Sequence, residues 1–351
     1  MRSPHRVAVF PQPVESNNPY QRLLHDALAR HGVRVLPRGP LGPAFARAAD
    51  RSVDAVHLHW IEPLLRTYPV RWKDALPAHV KGLRVLTALA MLRRRRARVV
   101  WTVHNLRPHE PRFPRLERRV TRAMLRTADA LIVHSAYAGR QAVATLGWSG
   151  PVHVVPHGNY IGVYPPEGRS RAELRAALGL PEHAFVYLVF GRVRAYKQVA
   201  DVVEAFGDAH PDSHLVVAGW PHRGQEAVLR AAADGNERVH LNLADIPAGE
   251  VAGYHLAADA VVLNYREVFS SGALLLALSF GVPVVAPAEG TATEIASRPA
   301  IEPFTPGGLA GALRAVREGD PERRRQAALA AAESCSWERA AELTVEAYGL
   351  R

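Results

Sequence analysis

The chain has 351 residues, 48% of them apolar, which suits two domains of moderate size, and its one cysteine, Cys335, excludes a disulfide framework or a multi-thiolate metal site. The net charge of +11 is unevenly placed: residues 1–165 hold 26 Lys+Arg and 9 Asp+Glu (net +17), the remainder 18 and 24 (net −6). A basic half points to an anionic partner, whether nucleic acid, membrane surface or substrate, or simply to an arginine-rich composition, since three lysines stand against 41 arginines.

In chain order, short apolar runs alternate with amphipathic stretches. Strands are expected over 7–10, 33–36, 55–58, 98–103, 130–133 and 152–155, and helices over 20–31, 83–92, 115–126 and 136–145. The pattern pauses at Pro156-His157-Gly158 and Pro165-Pro166-Glu167-Gly168, which read as a linker. It resumes with strands over 185–190, 214–218, 239–241, 260–263 and 282–286, and helices over 199–209, 225–233, 248–256, 272–279 and from 307 onward. Strand–helix alternation implies parallel βαβ units, hence an α/β chain in two halves. No secretory apolar segment opens the chain, and the uncharged stretch 268–288 is broken by Ser, Gly and Pro, so a cytoplasmic protein is expected.

Two segments carry chemistry. Phe190-Gly191-Arg192-Val193-Arg194-Ala195-Tyr196-Lys197 ends a buried strand, turns at a glycine and opens a helix. Ligands bind at strand C-termini in open α/β sheets, and two cations, Arg192 and Lys197, beside a helix N-terminus suit a diphosphate. An ordinary charged surface loop is the plainer reading, and the Walker pattern is absent. Asn264-Tyr265-Arg266-Glu267-Val268-Phe269-Ser270-Ser271-Gly272 again follows an apolar strand. Ser270 and Ser271 are natural N-caps, which leaves N–H groups at Ser271, Gly272 and Ala273 for a phosphate. Glu267 is placed to accept from ribose or sugar hydroxyls; plain helix capping accounts for the same residues.

The ordered set resembles the retaining GT-B glycosyltransferases of family 4, the glycosyl transferases group 1. It includes Asp54-Ala55-Val56-His57-Leu58-His59, Trp101-Thr102-Val103-His104-Asn105, Val155-Pro156-His157-Gly158, the Gly191-Arg192…Lys197 turn, Glu267 through Gly281-Val282-Pro283-Val284-Val285, and the Ser336-Trp337 tail. The resemblance implies two doubly wound Rossmann-like domains facing each other across a cleft. Residues 1–165 would bind the acceptor, 166–335 the nucleotide sugar, and the helix 336–351 would pack back on the first domain. Gly191, Arg192 and Lys197 would hold the donor diphosphate, with Asn264, Tyr265, Glu267, Ser270, Ser271 and Gly272 completing the donor side. Trp220 and Asp245, each after a strand, are candidate walls for the base; Trp220 is equally readable as a core or surface residue.

On the acceptor side the resemblance sets His104 close to the donor sugar. His109 and Glu110 follow in the same loop, positioned to bind or deprotonate an acceptor hydroxyl. Glu15, Asn18, His59 and His157 join this side, with Asn18 expected to cap the helix from residue 20. His57 and His59 are expected on opposite faces of their strand, His57 as a core residue. The family pairs two glutamates with seven residues between them, but counting from Glu267 reaches Leu275, and counting back from Gly281 reaches Leu276.

The implied activity is transfer of a hexose from a UDP- or GDP-sugar to an acceptor hydroxyl with retention; inversion would need a base, for which Glu110, Glu15 and Glu62 are candidates. No metal is expected, because Asp-x-Asp is absent and no carboxylate cluster completes His57-x-His59. No cofactor is expected beyond the nucleotide sugar as co-substrate. The acceptor is a glycolipid, saccharide or natural product, with peripheral contact to the inner membrane face through Arg93-Arg94-Arg95-Arg96 as a further expectation. Rival readings are a same-fold sugar-nucleotide epimerase and a basic nucleic-acid- or membrane-surface-binding protein. A dinucleotide oxidoreductase is disfavoured, since no G-x-G-x-x-G occurs.

Overall fold

The apolar runs form two parallel sheets of six strands. The computed structural model describes residues 4–350 except 12–17, 37–38, 66–74, 107–110, 166–167, 208–209, 267–268 and 270–271. The chain divides into two units, residues 1–158 with 337–351 and residues 159–336. Residues 159–165, read from the sequence with the first half, group with the second.

In the first unit β1 (His5–Phe10), β2 (Val33–Leu36), β3 (Ala55–Leu58), β4 (Arg98–Thr102), β5 (Ala130–Val133) and β6 (Val152–Val154) lie in the order β2-β1-β3-β4-β5-β6. In the second, β7 (Phe185–Phe190), β8 (Ser213–Ala218), β9 (Val239–Asn242), β10 (Ala260–Val262), β11 (Val284–Pro287) and β12 (Ile301–Phe304) lie in the order β12-β11-β10-β7-β8-β9. Both are doubly wound. The chain leaves β1 and β7 first to one side and later to the other, so a switch point falls between β1 and β3 and between β7 and β10. The central strands are buried on both faces, which is why they read as continuous apolar runs rather than alternating ones.

A repeated dipeptide sets the strand starts. Asp54, Asp129 and Asp259 each stand before an alanine that opens β3, β5 or β10. Their carboxylates accept from the backbone N–H of Arg6, Val99 and Val186 on the neighbouring strand, each at 2.7 Å. Their own N–H groups return bonds to the carbonyls of those same residues. Each aspartate thus satisfies a backbone donor at the sheet's N-terminal end and fixes register at three strand pairs.

The structure adds elements that the periodicity conceals. The helix expected over 83–92 begins eight residues earlier and spans Ala75–Leu92; it carries apolar residues on both faces, so no helical period stands out. Pro43–Ser52, Arg171–Ala177 and β12 are likewise additional to the sequence reading. Ser170 and Glu173 form a reciprocal capping box at the start of Arg171–Ala177. The terminal helix Trp337–Tyr348 packs on Tyr20–Arg30 in the first unit. The Tyr348 hydroxyl meets His57 Nδ1 at 2.7 Å, and Arg98 Nε donates to the Ala347 carbonyl at 2.8 Å. Cys335 is buried, as a filler thiol would be.

Candidate functional site

In the second unit β7 ends at Phe190 and the chain turns at Gly191, whose φ of +90° suits glycine. A 3-10 turn over Ala195–Lys197 and the left-handed Gln198 (φ 47°) lead into the helix Val199–Phe206. Gly219, after β8, has φ +146°, and a Cβ there would lie 2.2 Å from the Gly191 carbonyl oxygen, so only glycine permits the two turns to touch. The loop after β10 locks onto the same turn: Asn264 Nδ2 donates to the Gln198 carbonyl at 3.2 Å and the Arg266 N–H to that of Tyr196 at 2.9 Å. Both segments that the sequence singled out therefore meet at the switch point.

Lys197 is buried at 8% exposure, with its ammonium 5.4 Å from the centre of the Tyr265 ring. A Cβ on Gly191 would sit 3.7 Å from Lys197 Nζ, which places the charge over the glycine turn. Burial first, then Arg194 and Arg192, lowers the Lys197 pKa to about 8. Arg192 is exposed, and among the described residues no carboxylate forms an ion pair with either cation. Two cations without a counterion among the described residues, beside a glycine turn, are arranged for an anion brought by a ligand. Trp220 is 58% exposed and so is no core residue, and its carbonyl accepts from Val193 N–H at 2.9 Å. Asp245 is exposed beyond β9, the edge strand, two places from β7. Gly272 opens the helix Gly272–Ser279, while Glu267, Ser270 and Ser271 lie outside the described residues. Leu275 and Leu276, where a second glutamate is expected, are buried apolar residues of that helix.

In the first unit four adjacent strands each deliver a histidine at their C-terminal ends: His59 after β3, His104 after β4, His134 after β5 and His157 after β6. All four are buried, and Tyr20 sets its ring against each of them, with centroids 4.8–6.0 Å away. Three form a chain. His134 Nδ1 lies 2.9 Å from the Val155 carbonyl, His104 Nδ1 lies 3.4 Å from His134 Nε2, and His59 Nδ1 lies 3.0 Å from His104 Nε2. The carbonyl only accepts, so each ring carries its proton on Nδ1 and the chain ends at His59 Nε2, buried and without a hydrogen-bond partner among the described residues. Burial, reinforced by the neighbouring imidazoles, holds His59 and His104 well below their ordinary pKa, and burial brings His134 to about 4. The rings are neutral at neutral pH.

The indole of Trp60 stacks on His104 at 4.1 Å and 12°. A pocket here is lined by His59, Trp60, Ile61, Glu62, Trp101 and His104, with Asn105 and Leu106. The expectation that His57 and His59 face opposite ways is wrong: residues two apart share a face, and their rings lie 4.0 Å apart. His57 is a core residue whose nitrogens are both engaged, by Tyr348 and by Thr102 Oγ1 at 2.7 Å. Asn18 Oδ1 accepts from Tyr20 N–H at 3.1 Å, although Pro19 holds the cap position. Glu15, His109 and Glu110 lie outside the described residues. Sequence reasoning passed over His134, Tyr20 and Trp60. The signal for His134 was the recurrence of an apolar run closed by histidine, as in Ile132-Val133-His134.

Two doubly wound Rossmann-like units with such loops at the carboxyl edges of both sheets define the GT-B class of fold. Residues 170–332 match the model of the family described as Glycosyl transferases group 1. A GDP-mannose:glycolipid 4-beta-D-mannosyltransferase of Xanthomonas campestris pv. campestris is 30% identical over 283 residues, 79% of this chain and 71% of that protein. A D-inositol 3-phosphate glycosyltransferase of Nocardioides sp. is 32% identical over 251 residues, 64% of this chain and 54% of that one. Among solved structures, sucrose-phosphate synthase from Thermosynechococcus elongatus superposes with a TM-score of 0.71 at 19% identity, covering 98% of both chains. Anabaena HepE in complex with UDP and glucose gives 0.68 at 18%, covering 98% of this chain and 99% of that one. The chain belongs to the glycosyl transferases group 1 family and is a glycosyltransferase. No helix among the described residues is long and apolar enough to cross a membrane.

Proposed function

We propose that the enzyme moves a hexose from a nucleoside-diphosphate sugar to an acceptor hydroxyl, with the donor held by the second unit and the acceptor by the first. The observation that carries this reading is the cation pair Arg192 and Lys197 on the switch-point turn, with no carboxylate paired to either among the described residues. The acceptor oxygen bonds to the anomeric carbon, the bond from that carbon to the diphosphate oxygen breaks, the diphosphate departs with the electron pair, and the acceptor's hydroxyl proton passes to that departing phosphate in retention or to a base in inversion. Lys197 and Arg192 neutralise the charge that builds on it, so no divalent ion is required for that task. His104 orients the sugar, and His59, His157 and Asn18 shape the acceptor side.

The Xanthomonas relative is named for GDP-mannose and a glycolipid. GDP-mannose is therefore the first donor to test and a lipid-linked saccharide the first acceptor, with UDP-hexoses as the comparison. In calorimetric titrations Lys197→Ala and Arg192→Ala should each weaken donor binding by roughly 10- to 150-fold, the loss of one charge-assisted contact. Turnover should survive EDTA. Wild-type donor affinity in both variants, or a strict divalent requirement, would overturn the clamp.

Retention is what the family resemblance implies, with the leaving phosphate assisting on the attacked face and no protein nucleophile. Inversion is a second reading with specific support. Leucines stand where the second glutamate is expected, and the Xanthomonas protein is named for a β-mannosyl linkage, which an α-linked donor yields by inversion. Inversion needs an acceptor-side base, and Glu62 is the described carboxylate lining the His104 pocket. The one-bond carbon–proton coupling at the product's new anomeric centre decides between the two.

A further inference from the structure

The helix Ala75–Leu92 turns one face inward, through Ala78, Val85, Ala88, Leu89 and Leu92. The opposite face is also apolar: Leu76, Val80 and Leu83 are 74%, 51% and 66% exposed. Their spacing of four and three residues puts them on one stripe, directly outward. Large exposed aliphatics scattered singly need no explanation, but three in one helical register do.

The next helix, Pro114–Thr127, packs against this one, and Gly82 lets it approach so closely that a Cβ there would meet Leu116 at 2.7 Å. Its outward face holds Arg115, Arg118, Arg119, Arg122 and Arg126, all exposed. Its inward face holds Leu116, Val120 and Met124. The arginines fall within an arc of about 100° opposite the buried side. Arg93, Arg94 and Arg96, also exposed, follow the end of Ala75–Leu92. The outer surface of these two helices therefore pairs an exposed apolar stripe with a dense basic stripe, on the half of the chain whose net charge is +17.

We infer that this two-helix surface docks on an anionic lipid bilayer, with Leu76, Val80 and Leu83 inserted at the headgroup boundary and the arginines on lipid phosphates. A protein partner or second copy would use the apolar stripe but leaves the excess of positive charge unexplained; an anionic bilayer accounts for both stripes at once. The inference deepens the reading of a lipid-linked acceptor and rests on it for its purpose, but its geometry stands on the first unit alone.

The test is co-sedimentation of the full chain with vesicles of phosphatidylcholine, with and without phosphatidylglycerol. The wild type should bind the anionic vesicles, bind neutral ones far less, and release as salt is raised. The combined variant Arg118→Gln, Arg119→Gln, Arg122→Gln should lose roughly 100-fold in partitioning, about fivefold per arginine. Leu76→Ser with Leu83→Ser should lose about tenfold or more with salt sensitivity intact. Both variants should keep the wild-type melting temperature, since the positions are exposed, and should bind donor and turn over a water-soluble acceptor at the wild-type rate. Absence of wild-type binding to anionic vesicles at low salt, or wild-type binding by both variants, would overturn the surface while leaving the transferase reading standing. A wild-type dimer in sedimentation velocity that the leucine variant dissociates would assign the stripe to self-association and overturn it equally.

Discussion

Lys197 offers a test in which stability and function move in opposite directions. Burial lowers its pKa from 10.5 to about 8, so carrying the charge in the folded state costs on the order of 3 kcal/mol. Between about 8 and 10.5 the unfolded chain binds this proton and the folded chain does not, so the stability owed to this group rises with pH through that window and is lowest below it. Lys197→Met keeps an apolar stem and removes the ammonium. At pH 7 the ligand-free variant should be more stable than wild type, by up to about 3 kcal/mol, or roughly 6–12 °C in the transition of the second unit. The gain should shrink as pH rises past 8. Donor affinity should do the reverse: the variant should bind roughly 10- to 150-fold more weakly at pH 7, and wild-type affinity should fall above about pH 8 while the variant's stays flat. Scanning calorimetry and donor titration across pH 6.5–10 measure both. A variant less stable than wild type at pH 7, or one that binds donor normally, would refute the view of Lys197 as a cation held at a cost for a diphosphate.

Gly219→Ala forces a Cβ to within 2.2 Å of the Gly191 oxygen at a φ of +146°, and should cost about 2–4 kcal/mol by denaturant midpoint while weakening donor binding. His104→Ala should leave nucleotide affinity nearly intact and cut transfer about 100-fold or more, as read by calorimetry and by turnover at saturating donor. Acid should unfold the first unit before the second. His25, His57, His134 and His157 are held by burial at about 4, 3, 4 and 3, so the stability they confer when neutral is lost as pH falls from 6.5 towards those values. His255, at about 4, is the counterpart among fully buried rings of the second unit. Trp220 is the one tryptophan in residues 159–336, so its emission, followed in a variant lacking the others, should change at lower pH than the whole-chain signal.

Strand positions other than that of β12, the α/β class and the donor turn were legible in the amino-acid sequence, because each rests on a local rule. Buried parallel strands must be apolar runs, and a Gly-Arg…Lys segment after such a run must lie at the carboxyl edge. What depended on partners distant in sequence was not legible. The histidine row exists because β3, β4, β5 and β6 are neighbours in one sheet, and no local pattern shows that His59, His104 and His134 share one chain of hydrogen bonds. The placing of Lys197 against Tyr265 joins residues sixty-eight positions apart, and the nearness of Gly191 to Gly219 depends on the pairing of β7 with β8. The early start of Ala75–Leu92 was hidden because helical periodicity is visible only when one face is polar, and here packing claims one apolar face while the other stays outside. Local chemistry thus determines which residues end each strand, and only the order of strands in the sheet decides which of those residues meet.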